Sequence, residues 1–109
     1  MGLFEKDYVL RLLEQLTQLI QGVRARLEGG EAAEALASIA EARKTLAGPL
    51  ARTLDRVDGS TVVALLGRER ARPYAELSRL EAQAHRHLGD DAAARREDAR
   101  AAEIEGALD

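Results

Sequence analysis

The sequence predicts an all-α domain made of two antiparallel helical hairpins with a short-helix insertion between them. Three observations carry that expectation. Apolar residues recur three and four apart through long stretches, and nowhere alternate with period two for long enough to make a strand. Leu and Ala supply most of the apolar content, and both are strong helix formers. Glycine-containing breaks at Gly29-Gly30, Gly48-Pro49 and Gly89-Asp90 cut the chain into helical lengths joined by short turns. A chain of 109 residues makes one domain around one core. Its parts are hairpin one over about 3–46, an irregular lid over about 49–67 and hairpin two over about 72–107.

The first helix is expected from Leu3 to Leu27. Tyr8, Val9, Leu12, Leu13, Leu16, Leu19, Ile20, Val23 and Leu27 cover an arc of about 140°, wide enough for more than one neighbour. Leu3 and Leu10, seven apart, fall outside that arc on a second, smaller stripe. The stripe serves either a contact with a later part of the chain or a subunit interface. After Gly29-Gly30 a second helix is expected over 31–46, with Ala32, Ala35, Leu36, Ile39, Ala42 and Leu46 on its inner side. Glu31 and Glu34 in its first turn and Arg43 and Lys44 in its last suit the helix dipole.

Between Pro49 and Gly67 the pattern is shorter. Leu50, Leu54 and Val57 fit one short helix, and Val62, Val63, Leu65 and Leu66 fit another, capped by Asp58 or Ser60. This density of apolar residues predicts a lid packed across the first hairpin. The third long helix is expected from Arg72, with Pro73 near its start, to Leu88; its stripe is Tyr74, Leu77, Leu80, Ala84 and Leu88, with Glu81 outside. The last helix, 91–107, is built of Ala, Arg and Glu. It is expected to pack thinly through Ala92, Ala99 and Ala102, and to fray at its end.

Aligning Gly30 with Gly89 puts Ala35 opposite Ala94 and Ala42 opposite Ala101, small residues that let antiparallel helices approach around a tight turn. The second turn, Leu88-Gly89-Asp90 with Ala94 five residues after the glycine, resembles the tetratricopeptide (TPR) pattern. Ile39 fits the larger position between the two alanines, whereas Asp98, Ser78 and Glu81 depart from it. The units also lie about 59 residues apart rather than 34. The opening Leu3-Phe4-Glu5-Lys6-Asp7-Tyr8-Val9-Leu10-Arg11-Leu12-Leu13-Glu14-Gln15-Leu16 is similar to the first helix of a family of small bacterial TPR-like proteins of unknown function. That family also closes with a Gly-Asp hairpin after an irregular middle. The resemblance implies a TPR-like all-α fold and no activity.

Composition removes several kinds of function. With no cysteine there is no disulfide, thiolate zinc site or thiol nucleophile. The longest apolar run, Val62 to Leu66, is far short of a membrane span, and the opening residues lack the pattern of a signal peptide, so a cytoplasmic location is expected. A net charge of −3 argues against nucleic acid as the main partner. His85 and His87 stand two apart, about 200° around a helix, which is the wrong spacing for a metal pair. Glu97, Asp98, Glu103 and Glu105 sit among Arg95, Arg96 and Arg100, the pattern of a solvated helix with local ion pairs. No nucleophile motif or phosphate loop is present, so no enzyme activity and no cofactor are expected.

What remains is a protein-interaction or scaffolding module of TPR-like type, with a protein or peptide partner and a homodimer as one form of it. Its candidate surface residues are Leu3, Leu10, Arg68, Arg70 and Arg72. The alternative is an anion-, peptide- or nucleic-acid-binding regulator using the basic strip from Arg68 to Arg86, which includes Arg79.

Overall fold

A computed structural model describes residues 3–109, with side chains from Lys6 onward. The elements are α1 (Leu3–Glu28), α2 (Ala32–Ala47), a 3-10 turn (Gly48–Leu50), α3 (Ala51–Leu54), α4 (Gly59–Leu66), α5 (Arg68–His87) and α6 (Asp91–Leu108). The protein is all-helical, with no strand among the described residues.

The two hairpins, α1–α2 and α5–α6, turn in the same way. In the first, the Glu31 N–H donates to the Arg26 carbonyl at 2.8 Å and the Gly30 N–H donates to that of Leu27 at 3.2 Å. In the second, Asp90 donates to His85 at 2.8 Å and Gly89 to Arg86 at 3.0 Å. Both are Schellman closures, which satisfy the last helical carbonyls and require a left-handed residue. Gly30 and Gly89 occupy it, with φ of 76° and 82°. The Asp90 side chain then caps α6 by accepting from the Ala93 N–H at 3.1 Å.

α5 is the central helix, touching α1, α2, α4 and α6. It buries Ala71, Tyr74, Ala75, Leu77, Ser78, Leu80, Ala82 and Ala84. The core between the hairpins is made by Leu16, Val23, Ile39, Leu46, Leu54, Val62, Leu77 and Ile104. It holds alanines at Ala35, Ala42, Ala94 and Ala101, the four positions that the Gly30–Gly89 alignment pairs, all fully buried.

Several expectations from the sequence are corrected. α5 begins at Arg68, one turn earlier than expected, because Gly67 (φ 83°) makes the break and its carbonyl accepts from the Ala71 N–H. Pro73 therefore lies inside the helix, where its missing N–H leaves the Glu69 carbonyl without its helical donor. Both residues line an open groove against α1. The segment expected as a lid on hairpin one divides: α3 stays with α2, while α4 packs on α5 and α6. Its Gly59 touches the backbone of Glu103 so closely that a Cβ would stand 2.6 Å from that carbonyl.

α6 is not thinly held either. Ala92, Ala99 and Ala102 are exposed; Ala93, Ala94, Ala101, Ile104 and Leu108 are the buried face. Arg100 and Glu103 form one local pair at 3.8 Å, but both also reach other elements. Arg100 donates to the carbonyls of Leu54 and Val57, closing α3 from outside. The Glu103 carboxylate accepts from the Gly59 N–H at the start of α4. Arg68 on α5 donates to the Leu108 carbonyl, so even the last turn of α6 is tied down.

Candidate functional site

α1 is 26 residues long and α2 is 16, about 39 Å against 24 Å. The two share a turn at one end, so the N-terminal part of α1 runs past the end of α2. Thr45, near that end, stands beside Tyr8, Leu12 and Gln15. On the other side, α5 starts opposite Tyr8 and Val9. Tyr8 thus sits where both neighbouring helices give out, and it is 64 % exposed rather than part of the core arc.

Between this end of α1 and the α4–α5 junction lies an open groove of about 590 Å³, lined by Tyr8, Val9, Leu66, Gly67, Arg68, Glu69 and Arg70. Its wall is apolar at Tyr8, Val9 and Leu66. Leu65, next to Leu66 on α4, is exposed as well. The rim is basic on balance. Arg68 donates to the Leu108 carbonyl and Arg70 Nε to the Leu66 carbonyl at 2.9 Å, and among the described residues neither meets a carboxylate. Carbonyl acceptors fix the two side chains without neutralising their charge. A smaller groove of about 380 Å³ runs between α1 and α5 over Leu13, Leu16 and Ile20. Its rim holds both signs: Arg24, paired with Glu76 at 2.8 Å, and the side chains of Glu69 and Arg72.

The densest polar cluster lies elsewhere, between α2, α5 and α6. Arg43 donates to Glu81 on α5, to Ser78 Oγ at 3.0 Å and to Glu97 on α6 at 2.9 Å. Its guanidinium carbon stands 5.6 Å from the centroid of the Tyr74 ring, within cation–π range. Burial opposes the Arg43 charge, but Glu81 and Glu97 outweigh it and hold the pKa above its ordinary value. Burial likewise pushes up the Tyr74 hydroxyl. His85 Nε2 lies 3.1 Å from the other Glu81 oxygen. This cluster fastens α2 to hairpin two. Every polar partner in it comes from α2, α5 or α6.

The surface residues expected from the sequence separate. The side chain of Leu3 lies outside the described residues. Leu10 is 51 % exposed, outside the core arc of α1 as its spacing implies. The three arginines do not form one cluster: on α5, Arg70 points about 200° from Arg68, while Arg68 and Arg72 share a side. The strip also fails toward Arg86. Arg79 is bound to Glu105 at 2.6 Å and Asp98 at 3.2 Å, and Arg86 to Asp98 as well. The hydrogen bond from Arg86, then that from Arg79, holds the Asp98 carboxyl below its usual range. α6 thus supplies the carboxylates that neutralise the second half of the expected anion strip.

The sequence reading missed the groove at Tyr8, because an aromatic on the core arc reads as core until the lengths of the neighbouring helices are known. It placed Glu81 outside, whereas Glu81 is largely buried against Arg43. Among the described residues no group of three His, Cys, Asp or Glu side chains is placed to hold a metal ion. Among the described residues no helix is long and apolar enough to cross a membrane. No protein-family model matches the chain, and neither does any curated protein or solved structure to which it was compared.

Proposed function

We propose that this chain is a protein-interaction module of TPR-like type, acting by docking rather than by catalysis, with its docking surface at the N-terminal end of α1. One observation carries the reading: Tyr8 is exposed beside an apolar groove with two charge-uncompensated arginines, at the place where α1 outruns its neighbours. Elsewhere the buried and half-buried charges are spent on holding helices together. Large exposed aromatics beside a preformed groove are the usual anchors of protein interfaces. The repeated Schellman turn and the four buried alanines support the TPR-like description, and a cytoplasmic setting goes with it.

The test is site-specific photo-crosslinking in the native cell. A photoreactive residue at Tyr8 is expected to give a discrete crosslinked species that the same residue at Ala40, exposed on α2, does not. Equal crosslinking, or none, at the two positions would remove the reading.

A further inference from the structure

The two arginines of the Tyr8 groove differ in how they are held from Arg43, Arg79 and Arg86. Those three are anchored by carboxylates of neighbouring helices, so their charge is spent within the fold. Arg68 and Arg70 are anchored instead by the backbone carbonyls of Leu108 and Leu66. Each uses a single N–H for this, although a guanidinium carries several. Both side chains are thus held in position with their charge and most of their donors unspent, which lowers the ordering cost of meeting a carboxylate. One carboxylate, Glu69, lines the groove against the two arginines, which leaves the lining positive on balance. α5 starts there on Gly67 without a side-chain cap, and the N–H groups of its first turn add partial positive charge. The whole chain carries a charge of −3, but a screening length of about 8 Å at physiological salt lets the local balance govern a contact.

Resting on the docking reading above, we infer that the occupant of the groove is an acidic amphipathic helix of a different protein. Its apolar stripe lies on Tyr8, Val9 and Leu66, and carboxylates bordering that stripe meet Arg68 and Arg70. The groove joins an apolar wall to a positive rim, so its ligand carries an apolar face and negative charge side by side. As an open cleft it would leave much of a small molecule in water, whereas small-molecule sites enclose most of their ligand. No strand among the described residues can pair with the backbone of an extended segment, while a helix pairs its own. Two arginines are few for nucleic acid, whose affinity grows with the number of phosphates neutralised. A second copy of this chain is a poor source of the helix, because α1, α2, α4, α5 and α6 each spend their main apolar face on their own core.

The experiment is fluorescence anisotropy with the whole chain and two labelled synthetic peptides of about 15 residues, long enough to hold helical structure. Both carry leucine at every third and fourth position on an alanine background; one borders the leucines with glutamate, the other with lysine. The glutamate peptide is expected to bind in the micromolar range, at least tenfold more tightly than the lysine peptide, and to weaken as salt is raised. Tyr8→Ala should weaken its binding at least tenfold, and Arg68→Gln and Arg70→Gln several-fold each. The decisive arm reverses the rim: Arg68→Glu with Arg70→Glu should make the lysine peptide the tighter ligand, with circular dichroism showing that helix content is kept. Should that variant lose its helix content, Arg68→Gln with Arg70→Gln takes its place and should abolish the preference for glutamate. A glutamate peptide that fails to bind up to millimolar concentration, binds no more tightly than the lysine peptide, or is indifferent to Tyr8→Ala would overturn the inference. Photo-crosslinking tells this apart from failure of the docking reading. A discrete crosslink from Tyr8 to a segment without carboxylates, or to a second copy of this chain, overturns the inference alone; no preferential crosslink at Tyr8 ends both.

Discussion

Replacing Arg43 by alanine should remove much of the stability of the whole domain, although Arg43 lies away from the groove at Tyr8. The substitution takes away one cation held between Glu81 and Glu97, the partner of the buried Ser78 hydroxyl, and the side chain stacked on Tyr74. All three charged side chains keep between 18 and 24 % of their surface exposed. The site thus falls between a solvated ion pair, worth at most about 1 kcal/mol, and a fully buried one, whose disruption costs about 3–5 kcal/mol. Two carboxylates left facing each other without their cation put the loss at about 2–3 kcal/mol, the cation–π contact included. For a domain near 100 residues that corresponds to a fall in Tm of roughly 10–20 °C. The assay is urea and thermal unfolding followed by circular dichroism at neutral pH. Lys44→Ala is the control: one residue further on, solvated and paired only locally with Glu41, it should change stability by less than about 0.5 kcal/mol. Adding Glu81→Gln and Glu97→Gln to Arg43→Ala should recover part of the loss, because the uncompensated charges go with the arginine. An Arg43→Ala protein within about 0.5 kcal/mol of the wild type would refute the view that this cluster fastens α2 to hairpin two.

Two glycines predict opposite signs for one substitution. Gly59→Ala should destabilise by about 1–3 kcal/mol in urea unfolding, since the new methyl group meets the Glu103 backbone. Gly106→Ala, inside α6 with open space around it, should stabilise by about 0.5–1 kcal/mol. The Asp98 carboxyl, held low by Arg86 and Arg79, favours the folded state above its unfolded pKa of about 3.9, and that contribution is lost as pH falls through the lower folded value. Asp98→Asn should accordingly lower stability at pH 7 and leave a shallower decline in Tm between pH 5 and 2; an unchanged slope would contradict the assignment. Asp90→Ala removes the cap of α6 and should cost about 1 kcal/mol, visible as faster amide exchange over the first turn of that helix.

The long helices, the two hairpin turns and the inner faces of α1 and α2 are legible in the sequence because they depend on local chemistry. Apolar spacing of three and four selects a helix, and Leu27-Glu28-Gly29-Gly30 and Leu88-Gly89-Asp90 supply the left-handed residue at which each helix closes. Other features depended on which element arrives from elsewhere. Arg43 reads as a dipole partner at the end of α2 until α5 and α6 bring Glu81 and Glu97 to it. Arg79 and Arg86 read as an anion strip until α6 lays Asp98 and Glu105 across them. The charges of α6 read as local pairs, yet Arg100 and Glu103 close the ends of α3 and α4. Long charged side chains carry no periodic signature of their partner, because one arginine reaches a carboxylate on its own helix or on another equally well. Tyr8 shows the same limit for an apolar residue. Its spacing puts it on the core arc, but burial also needs a neighbour at that height, and α2 and α5 both stop beside it. The sequence by itself determined where the long helices run and which faces α1 and α2 bury; the relative lengths and offsets of the helices, set only in the tertiary packing, decided the buried face of α6 and which charges are neutralised, and left a groove open at the end of α1.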